Sequence, residues 1–184
     1  MWKEFCIYTG RIRLFGPSDW QYYTKWIGLI LGLFCSITGF LVTGVMHGVE
    51  YPSYVWNMPV GSFIFLCANA VDTIGHQTIY REALESGERL VHAITIYAGI
   101  ASCVLLTLSY SVSACMIPAI VLAGISFFYS VIDEWMHWMR YMHGQSDRIE
   151  MWSHFFIFVG HLILMVTWFH WAFSGYPGVA ATLH

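Results

Sequence analysis

The sequence predicts an all-α integral membrane protein with about five transmembrane helices, and three observations carry that expectation. Of its 184 residues, 58% are hydrophobic and only 10% are charged, a balance too apolar for an ordinary soluble domain. Five apolar stretches reach the roughly 20 residues that a helix needs to cross a hydrocarbon core of about 30 Å. These stretches are continuous rather than alternating, which argues against a single-chain barrel. The same arithmetic disfavours disorder, a secreted disulfide scaffold and nucleic-acid binding. Cys6, Cys35, Cys67, Cys103 and Cys115 stand apart without a CxxC pair and read as small packing residues.

A single transmembrane domain is expected over 1–184, divided into an interfacial segment (1–25), a five-helix bundle (26–174) and a short tail (175–184). The first segment is too polar to span. Its Trp2, Phe5, Tyr8, Leu14, Phe15, Trp20, Tyr22 and Tyr23 suit a helix lying in the membrane interface. Span one is expected over Ile27–Met46, and Pro52 and Pro59 bracket the loop that follows. Span two covers Val60–Tyr80, and span three Leu90–Tyr110. Span four runs from Ala114 to about Trp138, with Pro118 in its first turns, where a missing N–H is tolerated. Span five covers Met151–Phe173. Gly28, Gly32, Gly39, Gly44, Gly99 and Gly124 suit close helix packing within or between subunits.

Orientation follows from the eight basic residues, because Lys and Arg near span ends are retained on the cytoplasmic side. Lys3, Arg11, Arg13 and Lys25 precede span one, Arg81 and Arg89 flank the turn between spans two and three, and Arg140 and Arg148 flank the turn between spans four and five. All fall on one side if the N-terminus is cytoplasmic and the C-terminus is outside. The opposite loops and the tail carry no Lys or Arg.

Ionisable groups at membrane depth are costly, so their placement is informative. Asp72 and His76 sit four apart near the end of span two, and Glu88 and His92 four apart at the start of span three. The pattern recurs as Asp133 and His137, then Glu150 and His154. Two helical hairpins thus appear as pseudo-repeats, each DxxxH, a turn, then ExxxH. An i,i+4 pair projects from one helix face, so each hairpin can present two imidazoles and two carboxylates at its cytoplasmic end.

One reading is purely helical: Glu88 and Glu150 suit helix N-termini, and His76 and His137 suit C-termini. The other is metal ligation, because imidazole with carboxylate accepts copper, iron, zinc or manganese. Spacing leaves open one shared dinuclear site or two mononuclear ones. His143, Asp147 and His161 are further candidates, whereas His47, His170 and His184 fall on the other side.

The run Asp72-Thr73-Ile74-Gly75-His76-Gln77-Thr78-Ile79-Tyr80-Arg81-Glu82 resembles the DxxxHQT, then Arg-acidic, signature of the C-type polypeptide of the copper membrane monooxygenases. That family includes the particulate methane, ammonia and short-alkane monooxygenases. The stretch from Asp133 through His137 to His154 is similar to the same polypeptide's later Asn/Asp-xxx-His and His set. The resemblance covers roughly residues 68 to 160. It implies Asp72, His76 and His92 as a catalytic copper set, with Asp133, His137 and His154 as a second. Glu88 and Glu150 lie near positions where the family places a histidine, and are added as candidate ligands. Gln77, Tyr80, Arg81 and Glu134 are expected around the ligands.

The resemblance further implies a copper cofactor, O2-dependent hydroxylation of ammonia, methane or a short alkane, and quinol as a possible reductant. It implies A- and B-type partner subunits in a trimer of heterotrimers, surrounded by lipid in a prokaryotic cytoplasmic or intracytoplasmic membrane. Three other readings stand beside it. One is an iron or manganese carboxylate–histidine oxidoreductase, whose usual ExxH signature occurs once, from Glu134 to His137. Another is a b-haem cytochrome, and the last a non-catalytic subunit locked by metal.

Overall fold

A computed structural model describes residues 2–79, 86–144 and 146–183, without the side chains of Ser86, Glu88 and Arg89. The expected roles of Tyr80 and Arg81, and of the Glu88 carboxylate, therefore lie outside the described residues. The chain forms α1 (Trp2–Thr9), a 3-10 turn (Gly10–Leu14), α2 (Pro17–Met46), a second 3-10 turn (Ser53–Trp56) and α3 (Asn57–Thr78). It continues through α4 (Ser86–Ser109), a third turn (Ser113–Cys115), α5 (Met116–Met142), α6 (Arg148–Phe173) and α7 (Val179–Leu183). Among the described residues, five helical segments are long and apolar enough to cross a membrane: Pro17–Met46, Ser53–Thr78, Leu90–Ser109, Ser113–Met142 and Arg148–Phe173.

The expected break between interfacial segment and first span is displaced. The long helix begins at Pro17 rather than near Ile27. Proline is preorganised for the first helical position, and the Asp19 carboxylate accepts a hydrogen bond from the Gly16 N–H at 2.8 Å, so the helix starts there and meets no breaker afterwards. Its 30 residues extend roughly 45 Å at 1.5 Å per residue, longer than a hydrocarbon core. Only the segment from Trp2 to Leu14 remains apart from it. The last two spans also run further than expected at their shared end, to Met142 and from Arg148.

The bundle is held together by two principal helix pairs. α3 lies along α6, and α4 along α5, while α2 packs on α3 and α5 touches α6 less extensively. Glycines set the α3–α6 distance. A Cβ added at Gly160 would stand 2.5 Å from the Phe65 backbone nitrogen, and one at Gly61 would stand 2.7 Å from that of Leu164. The expected packing glycines are otherwise distributed: Gly28, Gly32, Gly39 and Gly124 face open space, while Gly44 abuts Tyr51 and Thr182. The small residues that bring α3 and α6 together are thus not among those that run composition singles out.

The apolar core gathers around Leu41, Val55, Met58, Leu106, Leu164 and Met165, bordered by Trp168, Trp171 and Tyr176. The tail closes this end of the bundle. Tyr176 has φ 53°, an uncommon backbone state for a bulky residue. Its hydroxyl donates to the Leu106 carbonyl at 2.6 Å and lies 2.9 Å from the Ser109 Oγ. The Trp171 indole donates to the Pro177 carbonyl at 3.0 Å, and the Tyr51 and Thr182 hydroxyls bond to each other.

Candidate metal centre

At the other end of the core, four helices each project ionisable groups inward. The i,i+4 spacing turns Asp72 and His76 to one face of α3, and Asp133 and His137 to one face of α5. α4 brings His92 and α6 brings Glu150 and His154. Asp72, Asp133, His137, Glu150 and His154 are all buried. In the helix pairs that pack most closely, the aspartate of one sequence hairpin meets a histidine of the other. Asp72 Oδ1 is 3.0 Å from His154 Nε2, and Asp133 Oδ2 is 3.2 Å from His92 Nε2. Within each DxxxH pair, His76 Nε2 is 3.3 Å from Asp72 Oδ2, and His137 Nε2 is 3.7 Å from Asp133 Oδ1.

His154 joins the two halves. Its Nδ1 lies 3.5 Å from Asp133 Oδ2 while its Nε2 faces Asp72. Its ring stacks on that of His137, with centroids 3.3 Å apart. The potential ligand atoms of His92, Asp133, His137 and His154 lie within 4.8 Å of one another, as do those of Asp72, His76 and His154. This grouping differs from the one that the resemblance implies: His92 joins Asp133 rather than Asp72, and His154 belongs to both groups. The physical reason is that α3 packs on α6 and α4 on α5, so the two helices of each DxxxH/ExxxH hairpin are not the ones in closest contact.

Glu150 stands behind the cluster and belongs to neither group. Its Oε1 accepts from His137 Nδ1 at 3.1 Å and from Arg140 Nη1 at 3.1 Å. In the sequence Arg140 stands out only as a charge fixing orientation, although its position three residues after His137 puts it on the same helix face. Glu134, beside Asp133, has a buried Oε1 without a hydrogen-bond partner among the described residues. Gln77 is half-buried just beyond His76. The other candidates are dispersed. His143 Nδ1 bonds the Met139 carbonyl at 2.7 Å, Asp147 pairs with Arg11 at 3.7 Å, and His161 lies deeper along α6. His47 bonds the Thr43 carbonyl, and His170 stacks on Tyr54, both outside the cluster.

The donor set fits a metal ion. Asp72 Oδ1 and His154 Nε2 approach to 3.0 Å, yet neither atom has a hydrogen-bond partner among the described residues, and the same holds for Asp133 Oδ1. Close lone-pair atoms that miss each other's hydrogen-bond directions are suited to converge on a third centre. Buried carboxylates also require a compensating positive charge. Arg140 is committed to Glu150, so that charge at Asp72 and Asp133 falls to imidazolium or to a bound cation.

The fold and site together define a class: a chain whose described residues form helices and no strands, five of the helices of membrane-crossing length, with a buried histidine–aspartate cluster able to hold a metal. No protein-family model, curated protein or solved structure matches the chain.

Proposed function

We propose that this chain is a membrane component of a copper-dependent monooxygenase complex that hydroxylates a small substrate such as ammonia, methane or a short alkane with O2. The observation that carries the reading is the convergence of Asp72, His76, His92, Asp133, His137 and His154 from four helices into two ligand groups joined at His154. The motif from Asp72 to Thr78, similar to that of the copper family, supplies one of these pairs intact. The two DxxxH/ExxxH hairpins act as pseudo-repeats that complete each other's ligand sets, the N-terminus is cytoplasmic, and the segment from Trp2 to Leu14 lies in the membrane interface.

Bound copper would supply one-electron redox chemistry and an open coordination position for O2. The chain's own residues do the rest. Glu150 accepts a hydrogen bond from the Nδ1–H of His137, which holds the tautomer whose Nε2 carries the free lone pair, and Arg140 fixes Glu150 in turn. The side chains of His137 and His154 are 1% and 5% exposed, whereas those of His76 and His92 are 15% and 23% exposed. The α3–α4 edge is therefore where small molecules reach the cluster, and the buried His137–His154 stack excludes water from behind. A reductant such as quinol and A- and B-type subunits, in a trimer of heterotrimers, complete the enzyme.

Elemental analysis of the detergent-solubilised complex, isolated with its native partners, tests this. Stoichiometric copper that disappears in His154→Ala is expected. Iron without a Soret band would turn the reading toward a carboxylate–histidine iron enzyme, and a Soret band toward a cytochrome. A metal-free complex from metal-replete cells, with activity unchanged in His76→Ala and His137→Ala, would end every cofactor reading.

A further inference from the structure

Where α5 gives way to α6, the chain surrounds a half-open cavity of about 310 Å³, the size of a small-molecule site. Glu4, Tyr8 and Arg11 line it from α1 and the turn that follows, and Asp147, Arg148 and Ile149 line it from the start of α6. Two of its walls are fixed. Tyr8 is 2% exposed, with its hydroxyl lodged where a Cβ at Gly75 would stand, and Ile149 is buried beside Glu150. The Arg11 guanidinium lies over the Tyr8 ring at 5.6 Å.

The lining carries two guanidinium groups and two carboxylates, and so no net charge. Arg11 and Asp147 approach only to 3.7 Å, and both are partly exposed. Such a pair is worth little and yields to a ligand that brings both charges. Arg148 is exposed at the first position of α6, with Tyr141 and Glu4 as its electrostatic neighbours. Asp147 precedes that helix without capping it through its side chain, so the first backbone N–H groups remain for an anion at the positive end of the helix. An anion alone would meet Glu4 and Asp147, and a cation alone would meet Arg11 and Arg148. A molecule with both charges meets opposite charge at each end: Arg grips phosphate through parallel N–H donors, and a primary ammonium gives its three donors to carboxylates.

The surroundings add an apolar side. Ile7 lines the cavity at 58% exposure, and Trp2 on the same helix is 77% exposed. The 26 residues of α6 extend about 39 Å at 1.5 Å per residue, which puts its first residue at headgroup depth in a bilayer. We infer that this cavity binds a phosphate ester carrying a primary ammonium, the chemistry of an aminophospholipid headgroup. Arg11, Arg148 and the α6 N-terminus take the phosphate, Glu4 and Asp147 take the ammonium, and the acyl chains run past Ile7 into the bilayer. The lipid thereby ties α1 to the helix that carries Glu150 and His154. The site rests on the membrane placement of the bundle and not on copper in the cluster.

Native mass spectrometry of the full-length chain in non-ionic detergent, with its native partners, tests this against added phosphatidylethanolamine, phosphatidylcholine and phosphatidylglycerol. Phosphatidylethanolamine should be held about tenfold more tightly than phosphatidylcholine, whose ammonium has no N–H to donate, and more tightly than phosphatidylglycerol, whose headgroup brings no cation. Glu4→Gln should remove the preference over phosphatidylcholine, and Arg148→Gln should weaken retention of both. Free phosphoethanolamine that protects the wild type, but not Arg148→Gln, against heat as strongly as the lipid does upholds the site and assigns it to a soluble ligand. Equal retention of the three lipids, tightest retention of phosphatidylglycerol, or a phosphatidylethanolamine preference that survives both substitutions overturns the proposal. Both substituted side chains are exposed; should either variant fail to fold, the wild-type lipid series still decides.

Discussion

His154 touches both aspartates, so single substitutions in the cluster should not be equivalent. His154→Ala is expected to remove metal from both ligand groups, His76→Ala from the Asp72 group and His92→Ala from the Asp133 group. Metal per chain in the purified complex checks the ordering, and equal losses in all three would rule out the two-group arrangement. Behind the ligands, Arg140→Gln takes a permanent positive charge away from the buried Glu150 carboxylate. Breaking a buried pair costs about 3–5 kcal/mol, and partial exposure of the Arg140 side chain, 19%, puts the loss at about 2–3 kcal/mol. Adding Glu150→Gln should recover part of it, as a double-mutant cycle in thermal unfolding would show. The residues of the cluster were legible in the sequence because i,i+4 spacing fixes a shared helix face. Their partners were not, because spacing within a helix says nothing about which neighbour that face meets.

At the scale of elements, the glycines separate tight from open faces. Gly160→Ala and Gly61→Ala force α3 from α6 and are expected to cost about 1–3 kcal/mol as overpacking, whereas Gly28→Ala or Gly32→Ala should be neutral in the isolated chain. Unfolding midpoints in detergent measure the contrast. If the α2 glycines bind a neighbouring subunit, their variants will instead weaken the assembly, which size-exclusion profiles detect. Apolar run length located the five long helices well. It misplaced the start of α2 because hydropathy weighs the stretch from Tyr22 to Lys25 as polar, while Pro17 and the Asp19 cap begin the helix before that stretch. The tail offered no periodic signal. Its order comes from long-range bonds of Tyr176 to Leu106 and Ser109, and Tyr176→Phe is expected to cost about 1 kcal/mol by the loss of those bonds.

Over the whole molecule, large apolar side chains face outward along every long helix, as with Phe128 at 63% and Val166 at 59% exposure. In water such surfaces drive aggregation, and in lipid or against further subunits they are satisfied. A metal that binds the folded chain but not the unfolded one adds stability by mass action. Chelation should therefore lower the melting temperature of the wild type, copper should restore it, and His154→Ala should respond to neither. A wild type indifferent to chelation and to copper would count against a resident ion. Hydropathy and charge outlined the bundle's composition and expected orientation, but the pairing of α3 with α6 depends on the close backbone approach at Gly61 and Gly160, which no periodicity encodes.

That interlocked pairing also imposes a timetable on biosynthesis. Neither aspartate can meet its full set of partners until the last long helix has entered the bundle, since His154 is carried by α6 and closes both halves. A nascent chain halted after α5 would carry Asp72 and His76 yet lack α6, on which α3 packs most extensively, and with it the atom that links them to Asp133. If the cluster holds a metal as proposed, both ligand groups are complete only once α6 is inserted, because His154 belongs to each.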